Sequence, residues 1–180
     1  AFYRAAQWRG KALALALGAR SVKPLAAGLV GVVAHPPQPG FFAEGTVPYD
    51  PEWSKTLAGL LAHSAEGRHE LLPFLGPATP RRVRVEAGIG LVRNGGNNRI
   101  AEGVLFEDYS GCDVDLGIRV LEALEASDST AARRFLVDVV LASGDAMERR
   151  LAALDALRWA EDLQEVLRRA QQPELILNAV

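Results

Sequence analysis

The sequence has one cysteine, Cys112, and therefore cannot form an internal disulfide or an all-cysteine metal site. A single thiol fits a reducing intracellular compartment, which is the location we favour. Of the three histidines, His63 and His69 are six positions apart, whereas two ligands on one helical face are four apart. The sequence therefore predicts no metal site, no cofactor and no catalytic residue.

Acidic side chains are absent from the first 43 residues, and the first acidic residue in the sequence is Glu44. The same segment carries five basic residues, namely Arg4, Arg9, Lys11, Arg20 and Lys23. The remainder holds 15 basic and 22 acidic side chains, a net charge of −7. Three interpretations stay open: an arm that binds an acidic partner or an anionic membrane surface, an organelle-targeting segment (mitochondrial or other), and an ordinary solvated helix.

The sequence also lacks a long apolar run. Its longest uninterrupted stretch, Pro24 to Ala34, is about half as long as a membrane-spanning helix. The sequence thus predicts no transmembrane span. The formal net charge of −2 is opposite in sign to that of a typical nucleic-acid binder, so we do not expect nucleic acid as a partner.

Proline and glycine are concentrated between His35 and Asp50, which predicts an extended arm without regular structure over residues 36–49. Its adjacent aromatic side chains, Phe41 and Phe42, are candidate partner-binding residues. We accordingly divide the chain into residues 1–50, a basic N-terminal helix with a proline-rich arm, and residues 51–180, a globular body.

Residues 82–106 show the alternation that is typical of a half-exposed strand. Val83, Val85 and Ala87 alternate with Arg82, Arg84 and Glu86. The turn-forming run from Asn94 to Asn98 follows, and apolar residues continue beyond it. These patterns predict a β-hairpin or small antiparallel sheet packed on helices.

The last third of the sequence has helical periodicity. Three helices are predicted, with caps at Asp113 or Ser110, at Ser127 or Asp128, and at Asp145. Short connections predict that they pack antiparallel as a C-terminal three-helix array. The predicted fold class is therefore α+β and predominantly helical.

The junction between hairpin and helix, residues 94–115, is the candidate polar site. Its candidate ligand-binding residues are Asn94, Asn97, Asn98, Glu107, Asp108, Asp113 and Asp115. Oxygen ligands at this density could bind a small ligand, but turn formation and helix capping explain the same residues.

The leading hypothesis is a non-enzymatic interaction or structural subunit of a larger assembly, with other protein subunits as partners. It rests on the basic arm, the aromatic residues beside the prolines and the helical surface. The alternative is a small enzyme or ligand-binding domain that uses residues 94–115.

Overall fold

The computed structural model describes residues 52–95 and 98–170, together with residues 22, 25–27 and 30. The predictions for the basic residues from Arg4 to Lys23, for the arm with Phe41 and Phe42, and for Asn97 lie outside the described residues. The proposed boundary between residues 1–50 and 51–180 stays a prediction.

Helices account for all regular secondary structure in the described residues. In chain order these are α1 (Glu52–Ala62), α2 (Ala65–Leu71), a 3₁₀ turn (Leu72–Leu75), α3 (Arg81–Gly95), α4 (Arg99–Asp108), a second 3₁₀ turn (Tyr109–Gly111), α5 (Val114–Glu125), α6 (Thr130–Leu141), α7 (Met147–Asp155) and α8 (Ala160–Arg169). The described part of the chain contains no strand, so the predicted α+β class is wrong. The fold is all-helical over these residues.

The predicted hairpin is replaced by the helices α3 and α4. Helix α3 packs against α1, α4 and α5, and every residue from Val85 to Val92 is buried. A helix that is covered on several sides has no exposed face, and its apolar residues lose the helical period. The alternation of Val83 and Val85 with arginines therefore imitated a strand. Asn94 and Gly95 of the predicted turn belong to α3, and Asn98 is the N-cap residue of α4.

Glycines in α3 let its neighbours approach closely. A Cβ atom at Gly88 would lie 2.9 Å from a methyl carbon of Leu105 on α4. A Cβ atom at Gly90 would lie 3.1 Å from the Ala58 carbonyl oxygen on α1. Since real Cβ atoms rarely come this close, the two positions need the smallest residue for the observed packing.

The C-terminal region contains four helices where the sequence predicted three. Asp113 caps α5 by accepting a hydrogen bond from the Leu116 amide at 2.8 Å. Ser129 caps α6, whereas the sequence predicted Ser127 or Asp128 as the cap. The third predicted helix is interrupted after Asp155, and the interruption allows α8 to pack on α6. The three-helix array is thus corrected to α5–α8.

Gly67 offers a test of this packing. Its Cβ atom would overlap the backbone of Leu61, whereas Gly103 on α4 faces open space. We expect Gly67→Ala to lower the free energy of unfolding by about 2 kcal/mol, because backbone cannot move aside without shifting α1. Gly103→Ala should raise it by up to about 1 kcal/mol, because alanine favours helix. Urea denaturation of both variants measures the difference, and equal stabilities would contradict the packing of α1 on α2.

Candidate functional site

Asp108, a candidate ligand-binding residue, instead joins α4 to α3. Its two carboxylate oxygens accept hydrogen bonds of 2.6 and 2.5 Å from the guanidinium of Arg84. Arg81 adds a longer ion pair of 3.6 Å. The hydrogen bond from Arg84 to Asp108 raises the pKa of the Arg84 guanidinium. Asp108 is therefore committed to helix packing.

The other described candidates at residues 94–115 are not brought together in one site. Asn98 caps α4, accepting from the Ala101 amide at 3.1 Å, and Asp113 caps α5. Asn94 donates to the Gly90 carbonyl at 3.0 Å, one turn back in α3. Glu107 and Asp115 are exposed. The capping interpretation of this segment accounts for Asn98 and Asp113.

Two buried carboxylates escaped the sequence analysis. Glu86 on α3 is 1% exposed and accepts two hydrogen bonds of 2.6 and 2.5 Å from Arg119 on α5. Glu102 on α4 is 2% exposed and accepts from the hydroxyls of Ser127 and Ser129. Both carboxylates interrupt apolar runs, which is the signal that could have identified them as buried and paired.

Cys112 lies in a buried polar cluster between the ends of α4, α5 and α7. The hydroxyl of Tyr109 donates to Asp145 at 2.8 Å, and the Arg149 guanidinium lies 5.1 Å from the centre of the Tyr109 ring. Arg149 also donates to the carbonyl oxygen of Cys112. Burial raises the pKa of the Cys112 thiol to about 11, which keeps it protonated at neutral pH and makes it a poor nucleophile.

One cleft lies between α1, α3 and α5 and has a volume of about 470 Å³. Its lining residues are Lys55, Thr56, Gly59, Leu60, His63, Glu86, Ile89, Gly90, Arg93, Asn94 and Arg119. The Glu86–Arg119 pair is part of this lining. We call this cleft the α1–α3–α5 cleft. Asn94 is the predicted site residue in its lining.

A second candidate surface is an apolar line on α8, formed by Trp159, Leu163 and Leu167 and here named the α8 edge. Trp159 is 47% exposed and Leu167 is 37% exposed, while Leu163 is half-buried against the core. The Arg133 guanidinium lies 5.0 Å from the centre of the Trp159 ring. The edge adjoins a shallow polar groove between α6 and α8, of about 380 Å³.

The arrangement was compared with known proteins. No family model, no curated protein and no solved structure matches this chain.

Among the described residues, no group of histidine, cysteine and carboxylate side chains could hold a metal ion. Over the same residues, no helix combines the length and apolar character needed to cross a membrane.

The Glu86–Arg119 pair should contribute strongly to stability. Glu86→Gln keeps the side-chain volume and removes the charge that accepts both hydrogen bonds from the mostly buried Arg119 guanidinium. We expect a loss of about 3 kcal/mol in the free energy of unfolding. Glu107→Gln, at an exposed carboxylate directly before Asp108 on α4, is the control and should change stability by less than about 0.5 kcal/mol. Urea denaturation that shows equal stability for the two variants would refute a structural role for the pair.

Alkaline pH should destabilise the fold through Cys112. Its folded pKa of about 11 lies above the ordinary thiol value of 9.0, so the folded chain holds this proton more tightly. The resulting stabilisation is full below pH 9 and is lost as the pH rises towards 11. Cys112→Ala should show a weaker decline over that range. Denaturation at several pH values measures it, and parallel declines in both proteins would exclude the thiol as a cause.

Proposed function

We propose that this protein is a non-enzymatic structural subunit that assembles through protein contacts, and that the α8 edge of one copy packs on the α8 edge of a second copy. The observation that carries the proposal is the exposure of Trp159, with 47% of the residue accessible to solvent. Tryptophan and arginine are the residue types most enriched among those that dominate binding energy in protein interfaces.

The indole of Trp159 is held in a fixed position before any partner binds. Arg133 lies over its ring, and Asp162 accepts hydrogen bonds of 2.8 and 2.9 Å from the Arg133 guanidinium. A side chain that is already ordered loses less conformational entropy on association. The hydrogen bonds from Arg133 to Asp162 also join α6 to α8, and the α8 edge depends on the orientation of these two helices.

Charge along α8 supports a second copy as the partner. Its first turn carries Glu161, whose side chain is 86% exposed, and its last turn carries Arg168 and Arg169. In an antiparallel pair of α8 helices, the acidic end of one copy approaches the basic end of the other. Opposite charges facing each other across an interface favour association and fix its orientation. The apolar line through Trp159, Leu163 and Leu167 then lies between the two helices.

The basic N-terminus is proposed to add a second contact. Five basic residues without an acid are joined to a remainder of net charge −7, and many body acids already pair with arginines of their own chain. Intramolecular docking on those acids would have to displace existing pairs. We therefore expect residues 1–23 to contact an acidic surface of another subunit, with a salt-dependent contribution.

The alternative function is a ligand-binding domain. The described candidates Asn98, Asp108 and Asp113 have contacts within the fold, so the observation that favours this alternative is the α1–α3–α5 cleft. Binding of a ligand there is compatible with assembly through α8.

Sedimentation equilibrium of the full chain tests the proposed assembly. We expect a concentration-dependent dimer, and we expect Trp159→Ala to weaken its dissociation constant by about tenfold or more. Ile100→Ala is the matched control, because Ile100 is 68% exposed on α4, outside the α8 edge. It should leave the dimer unchanged.

A full chain that stays monomeric at every accessible concentration would overturn the proposal, and so would equal dimerisation of both variants. The same series with a chain lacking residues 1–23 addresses the N-terminus. Its association should depend less on salt than that of the full chain, and an equal salt slope would remove the N-terminus from the assembly.

A further inference from the structure

No further inference is drawn: the strongest candidate, the α1–α3–α5 cleft, has cations in its lining, Lys55, Arg93 and Arg119, that all have partners already, and nothing in the part of the chain that the structure describes shows what the cleft would hold.

Discussion

Burial of carboxylates in a helical core is the constraint on which the rest of this structure depends. A charged group removed from water must find a partner, because its lost hydration is not otherwise recovered. Here Glu86 is matched by Arg119, Glu102 by two serines and Asp108 by Arg84. Each of these three carboxylates is hydrogen-bonded to a residue of a different helix or loop. The observed packing of the helices satisfies all three carboxylates at once.

The same constraint decides where function can lie. A carboxylate that is fully engaged in the core, such as Asp108 with Arg84, is poorly placed to bind a ligand or transfer a proton. The remaining candidate sites are on the surface, namely the α8 edge with its exposed Trp159 and the α1–α3–α5 cleft. The shape of the cleft follows from the packing of the core. The hydrogen bonds from Arg119 on α5 to Glu86 on α3 form part of its lining, and Gly90 lets α1 approach α3 closely.

The sequence predicted the local signals of this fold better than its global class. The cap at Asp113 was recognisable because it depends on a few neighbouring residues. Helix α3 was not, because its apolar pattern reflects burial on several sides, and the partners on α1 and α5 are distant in sequence. The break after Asp155 was missed for a related reason: it is set by the packing of α8 on α6. Of the cleft, only Asn94 was anticipated, since the remaining lining comes from three helices.

The central claim is that residues 81–95 form a buried helix at the centre of the fold, fastened by Glu86 and Arg119. Native-state hydrogen exchange of the full chain tests it most directly. If α3 is covered by α1, α4 and α5, its amides from Val85 to Val92 should be among the slowest to exchange, with the free energy of opening equal to that of global unfolding. Fast exchange of these amides, while those of α5 and α6 stay protected, would contradict the account.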